Sequence, residues 1–264
     1  MNHIQISIEA NAEQQEILIS ELSELDATGF EQTDTNLLAY FEEDNFKSYD
    51  INELLKNYLF YLTTLPKQNW NALWESNFEP VVVDDFCAVR ADFHQPIKKV
   101  QHEIIITPKM SFGTGHHATT YMMMQQMKDI DFINKKVFDF GTGTGILAIL
   151  AKKLGAASVT AIDVDEWSIK NAEENFLKNK VEGIRLYESS LLPQEQFDIV
   201  LANINKNVLI QHEAAMVNLL SPNGILLMSG LLKEDEEIIV EVFNKLKLIK
   251  REQKQNWLSF LFAI

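Results

Sequence analysis

The stretch KVFDFGTGTGILAILAKKLGA, residues 136–156, restricts the fold more than any other part of the chain. An apolar run suited to a buried strand turns through three glycines into a segment whose Ile146, Leu147, Ile149, Leu150 and Leu154 share a helix face, and Gly155 ends it. In such a strand-turn-helix unit a ligand can approach the backbone, and amides at the helix start can donate to it. The spacing narrows the ligand. A dinucleotide fingerprint, G-x-G-x-x-G, needs a third glycine at position 146, which is Ile146; Gly141, Gly143 and Gly145 form G-x-G-x-G instead, preceded by Asp139.

The chain around this unit alternates strand and helix patterns. SVTAID, IRLYE, FDIVLAN and GILLMSG read as strands between amphipathic helices, the habit of a mostly parallel sheet covered on both faces. After a helix around Ile238 to Leu246, KLKLIK and NWLSFLFAI follow with no helix between them, so an antiparallel hairpin is expected at the C-terminal edge. Asp163 closes the strand after the glycines, where a carboxylate can accept from both ribose hydroxyls, while Asp165 suits the cap of a helix starting at Glu166. Asn203 ends the FDIVLAN strand at the edge facing the ligand crevice.

A second cluster, SFGTGHHATT at residues 111–120, has two adjacent histidines with no carboxylate or cysteine at ligand spacing, so no metal is expected there. It lacks the Gly-Lys-Ser/Thr ending of a phosphate loop. A helix beginning near Thr119 and continuing through YMMMQQM would place Thr119 and Thr120 in its first turn, beside a glycine-softened loop that could cover a ligand. The methionines are expected in the core.

Residues 1–65 read as a small α+β unit. Ile4, Ile6 and Ile8 alternate as a strand; Asn11 and Gln14 could cap a helix with Ile17, Leu18, Leu22 and Leu25 on one face. Two extended pieces are expected about Asp34 to Asn36, then a helix from Asp50 carrying Ile51, Leu54, Leu55, Tyr58, Leu59 and Leu62. Residues 66–80, bracketed by Pro66 and Pro80, read as a linker helix with Trp70, Leu73 and Trp74, and 81–264 as the larger α/β domain. The net charge of -15 disfavours a nucleic-acid substrate, and the lone Cys87 gives no disulfide. With no leader pattern or membrane-length apolar run, a cytoplasmic protein is expected.

The G-x-G-x-G turn is the form found in class I S-adenosylmethionine methyltransferases. SFGTGHHATT, followed by DFGTGTGILAI, AIDVDEWSIKNAEEN, LANI and MSGLL, resembles the ribosomal-protein methyltransferase A family, which methylates ribosomal protein L11 of the large subunit. The resemblance implies a Rossmann-like methyltransferase domain with a seven-stranded sheet, preceded by a substrate-recognition domain. It implies S-adenosyl-L-methionine as cofactor and transfer to lysine side-chain or N-terminal amines of L11, free or on the large subunit. Cofactor positions carry over to Phe112, Gly113, Thr114, Gly115, Thr120, Gly141, Gly143, Asp163 and Asn203, and His116 falls in a variable slot. Asn203 and His117 are the candidate catalytic residues, His117 as a proton relay or a loop anchor. A monomer without metal or membrane is expected. The alternatives are the same core acting on RNA or another protein, a nicotinamide oxidoreductase, which needs the other glycine spacing, and a catalytically silent binding module.

Overall fold

A computed structural model describes residues 3–65, 78–109 and 113–264, which fall into two compact units, 1–77 and 78–264. In the first, β1 (His3–Glu9), β2 (Gly29–Gln32), β3 (Asn36–Glu42) and β4 (Phe60–Leu65) form an antiparallel sheet in the order β2-β3-β1-β4. Helix α1 (Ala12–Ser23) starts with a reciprocal cap: the Gln14 N–H donates to Asn11 Oδ1 and the Asn11 N–H to Gln14 Oε1, each at 3.0 Å. Leu18 and Leu22, one turn apart, are fully buried with Ile6, Ile8 and Phe41.

Two expectations fail here. Ile17 is 53% exposed, because the buried stripe of α1 runs through Gln15, Leu18 and Leu22; the Gln15 side-chain amide donates to the Ala10 and Thr33 carbonyls. The second helix, α2 (Ser48–Leu54), stops before Tyr58, Leu59 and Leu62. Leu62 lies in β4, where FYLTTL, rich in aromatic and β-branched residues, pairs with the open edge of β1 from Ile8↔Phe60 to His3↔Leu65. Trp70, Leu73 and Trp74 lie outside the described residues, and 78–80, the described end of the expected linker helix, carry no helix.

The second unit opens with a small sheet, β5 (Val81–Val83), β6 (Cys87–Ala91) and β7 (His102–Ile106), which the sequence pattern did not separate from the rest. Cys87 is buried in β6, and burial pushes its thiol up to about 12. The main sheet holds β8 (Lys136–Phe140), β9 (Ser158–Asp163), β10 (Ile184–Glu188), β11 (Phe197–Asn203), β12 (Leu220–Leu232), β13 (Lys247–Lys254) and β14 (Trp257–Ala263). Their order is β10-β9-β8-β11-β12-β14-β13; six strands run in one direction, and β14 alone is antiparallel, to both its neighbours, as the direct β13–β14 connection requires.

Helices cover both faces of this sheet. On one side α3 (Ala118–Met127), α4 (Ile146–Lys153) and α5 (Glu166–Asn179) enclose a core that includes Met123, Met127, Ile149 and Leu150, so the methionines are core residues. On the other, α6 (Lys206–Gln211), α7 (Glu213–Leu219) and α8 (Glu236–Val242) flank a core with Leu209, Met216, Ile239 and Phe243. The loops that follow the parallel strands converge at the strands' carboxyl ends.

Candidate active site

At those carboxyl ends lies a cavity of ≈ 530 Å³, walled by Gly141 and Gly143 after β8, Asp163 at the end of β9, Ser190 after β10, Asn203 at the end of β11, and Trp257 at the start of β14. Its floor depends on two glycines. A Cβ on Gly141 would stand 2.3 Å from Ile204 Cγ2, and one on Gly230 would stand 2.1 Å from the Ile204 carbonyl oxygen. Ile204 is thus wedged between the turn after β8 and the irregularity in β12 at Gly230, which confines the backbone leaving Asn203.

Asp163 braces the glycine turn. Its Oδ2 accepts from the Gly143 N–H at 2.8 Å and its Oδ1 from the Asp165 N–H at 3.1 Å, while Asp165 caps α5 by accepting from Ser168 N–H at 3.0 Å. Each carboxylate oxygen of Asp163 keeps further acceptor capacity facing the cavity. Behind it, Asp139 is fully buried, and burial pushes its carboxyl up to about 7; the Thr142 hydroxyl, donating to its Oδ2 at 2.6 Å, opposes this, and the nearby Asp163 charge adds to it.

Helix α3 supplies the opposite wall. Thr120 is fully buried in its first turn, and its hydroxyl accepts from Asn203 Nδ2 at 3.1 Å. With the amide nitrogen on Thr120, Asn203 Oδ1 is buried without a hydrogen-bond partner. His117 caps α3: its Nδ1 accepts from the Thr119 N–H at 3.4 Å and lies 2.8 Å from the Thr119 hydroxyl, which assigns the neutral ring's proton to Nε2. Burial lowers its pKa, and its ring meets Trp257 edge to face at 4.6 Å.

Five of the residues singled out in the sequence, His117, Gly141, Gly143, Asp163 and Asn203, line this one cavity. Thr120 stands behind Asn203 and reaches the cavity only through it. Gly113, Thr114 and Gly115 do not line it: the Gly113 carbonyl accepts from the Thr144 hydroxyl, Thr114 contacts His116 Nδ1 at 3.1 Å, and Gly115 packs near Val81 and Val89. Phe112 lies outside the described residues. His116 has a structural partner, its Nε2 lying 2.8 Å from the Glu79 carbonyl.

Sequence reasoning missed Val164, Ser190, His212 and Trp257, all of which line the cavity. Val164 and Ser190 each follow a strand end, a signal that could have found them. Trp257 had no local signal, because the register Leu232↔Trp257 of the antiparallel pair delivers it. A smaller cavity of ≈ 370 Å³ adjoins along Asn205, Gly230 and Trp257, and its buried Asp235 is paired with Lys206 at 2.5 Å. Among the described residues no group of three or more His, Cys, Asp or Glu side chains could hold a metal ion, and no helix is long and apolar enough to cross a membrane.

Comparison with known proteins gives this geometry a context. A family model described as "Ribosomal protein L11 methyltransferase (PrmA)" matches residues 2–263. A ribosomal protein L11 methyltransferase of Porphyromonas gingivalis is 42% identical over 261 residues, covering 94% of this chain and 90% of that protein. One of Chlorobaculum tepidum is 37% identical over 278 residues, covering 98% and 96%. The solved structure of a ribosomal protein L11 methylase from Lactobacillus delbrueckii subsp. bulgaricus superposes with a TM-score of 0.65 at 29% identity, covering 70% of this chain and 98% of that one.

Proposed function

The chain belongs to the ribosomal protein L11 methyltransferase family, whose class I fold and S-adenosylmethionine-dependent methyl transfer it shares, and from that premise we propose that it methylates amine nitrogens of L11 in the cavity beside Asn203. The observation that carries this reading is Asn203 Oδ1, a buried acceptor without a partner at the carboxyl edge of β11, suited to an amine N–H.

The residues present fit the cofactor. Asp163 offers its remaining lone pairs to a ribose diol; Val164 and Phe140 give apolar contact to a flat base, with the Ser190 hydroxyl beside them; Gly141 and Gly143 leave the backbone open to close approach. When bound, S-adenosylmethionine supplies a methyl group already activated on a sulfonium, so the protein's part is alignment and management of the amine's proton. Asn203 Oδ1 accepts from the target nitrogen and holds its lone pair in one direction, and Thr120 holds Asn203.

A lysine ammonium, with an ordinary pKa of about 10.4, must lose a proton before it attacks. Desolvation by the apolar lining of the cavity disfavours the charged form, and the carboxylate of the adjoining cavity, Asp235, is neutralised by Lys206. With Nδ1 occupied and the ring proton on Nε2, neutral His117 has no acceptor to offer the amine; it anchors the loop and packs edge to face on Trp257.

The first unit serves as the recognition domain in this reading. Glu21, Glu24 and Asp50, with Glu53 paired to Lys56, surround a groove between α1 and α2, whose net negative charge is complementary to a basic protein. The protein acts as a cytoplasmic monomer on L11 either free or on the large subunit. Incubating it with methyl-labelled S-adenosylmethionine and undermethylated large subunits, then separating protein from RNA, tests the substrate class. Label in L11 supports the reading, and label in RNA or another protein overturns it.

A further inference from the structure

Thr144, the second threonine of the glycine turn, does not line the cavity, yet it is fully buried and fully engaged. Its hydroxyl donates to the Gly113 carbonyl at 2.6 Å, and its own carbonyl accepts from Asn175 Nδ2 at 2.8 Å. Asn175, also fully buried, uses its Oδ1 to accept from the Thr107 N–H at 2.7 Å. Asn171 Nδ2 donates to the Thr107 carbonyl at 3.0 Å, and Asn179 exchanges both of its amide bonds with Ile105. These three asparagines, one per turn on α5, satisfy the outer edge of β7 as a neighbouring strand would.

Thr107 and Gly113 are therefore each held by one member of a bonded pair, Thr107 by Asn175 on α5 and Gly113 by Thr144 in the glycine turn. Gly113 has φ +104°, and a Cβ there would stand 2.9 Å from Thr144 Oγ1, so its lack of a side chain is matched to that hydroxyl.

We infer that Thr144 and Asn175 are positioning residues, a strut that sets the Gly113–His117 loop at a fixed height over the glycine turn and aligns the acceptor amine with the bound methyl donor. The inference rests on the methyl-transfer reading above for its kinetic arm only. A methyl group in the place of the hydroxyl needs a carbon-to-oxygen separation of about 3.3 Å. The Gly113 carbonyl would have to retreat by roughly 0.7 Å in a Thr144→Val protein, and near-attack geometry is sensitive to displacements of about that size.

The test compares wild type, Thr144→Val, Thr144→Ala and Thr144→Ser. S-adenosylhomocysteine affinity is read by calorimetry, methyl transfer to L11 by steady-state kinetics, and amide hydrogen exchange of residues 113–118 with and without S-adenosylhomocysteine. The expected result is that Thr144→Val and Thr144→Ala bind S-adenosylhomocysteine within about threefold of wild type, lose at least about tenfold in kcat, and lose the ligand-induced protection of residues 113–118, whereas Thr144→Ser recovers both. Wild-type kcat and protection in Thr144→Ala overturn the strut. So does a parallel loss of affinity, melting temperature and kcat that serine does not rescue, since that marks a purely structural role. If wild type fails to methylate L11 while the exchange pattern holds, the substrate reading falls and the strut stands.

Discussion

Asn203 Nδ2 donates to the fully buried Thr120 hydroxyl at 3.1 Å, so a residue from the first turn of α3 holds the β11 asparagine that lines the cavity. Asn203→Ala is expected to lower kcat/KM for L11 by about a hundredfold, the scale seen when one preorganised hydrogen-bonding group is removed from a reaction site. Thr120→Val should cost about tenfold, and the double variant should be no worse than Asn203→Ala alone, because both act through one contact. Single-turnover methyl transfer measures all three. Additive losses would mean that Thr120 acts elsewhere.

Asp163 has two duties, bracing the Gly143 and Asp165 amides and facing the cavity. Asp163→Ala should weaken S-adenosylmethionine binding at least about a hundredfold, since hydrogen bonds to a charged acceptor contribute about 1.5–3 kcal/mol each. Calorimetry showing affinity within about threefold of wild type would remove Asp163 from the ribose site.

Burial raises the Asp139 carboxyl from 3.8 to about 7, so the folded protein holds this proton more tightly than the unfolded chain does. The associated stability is fully present below the unfolded value and is lost as pH rises through about 7. Asp139→Asn keeps an acceptor for the Thr142 hydroxyl and cannot titrate. Its stability relative to wild type should therefore rise between about pH 5 and about pH 8 in cofactor-free urea unfolding. A difference independent of pH would show that Asp139 stays ionised in the fold.

At Gly230, with φ +91°, a methyl group would meet the Ile204 carbonyl at 2.1 Å. Gly230→Ala should destabilise the protein by at least about 2 kcal/mol, from left-handed backbone strain and the displaced Ile204 turn together. Chemical denaturation measures it, and an unchanged midpoint would mean that the turn after β11 is free to shift.

Where chemistry is local, the sequence was readable. The three glycines, Asp163 at a strand end and the Asn11/Gln14 cap each declare themselves within a few residues, and each stands where its spacing puts it. Longer-range pairing hid the rest. Phe60–Leu65 has apolar residues that also fit a helix, and only the unpaired edge of β1 turns it into a strand. The three-to-five-residue strands of the small sheet are too short to show a period, and parallel pairing of β6 with β7 leaves no turn signal between them. Trp257 and the Asn175–Thr144–Gly113 ties join distant segments, so neither their existence nor their purpose is written in any one stretch.

The most direct test of the central claim is site-resolved mass spectrometry of L11 after reaction with wild type and with Asn203→Ala. The account predicts methyl groups on lysine side chains or the α-amine of L11 with wild type, and strongly reduced occupancy of the same sites with Asn203→Ala despite retained cofactor binding. Methylation of L11 at oxygen, carbon or a different class of nitrogen, or undiminished amine methylation by Asn203→Ala, would contradict it.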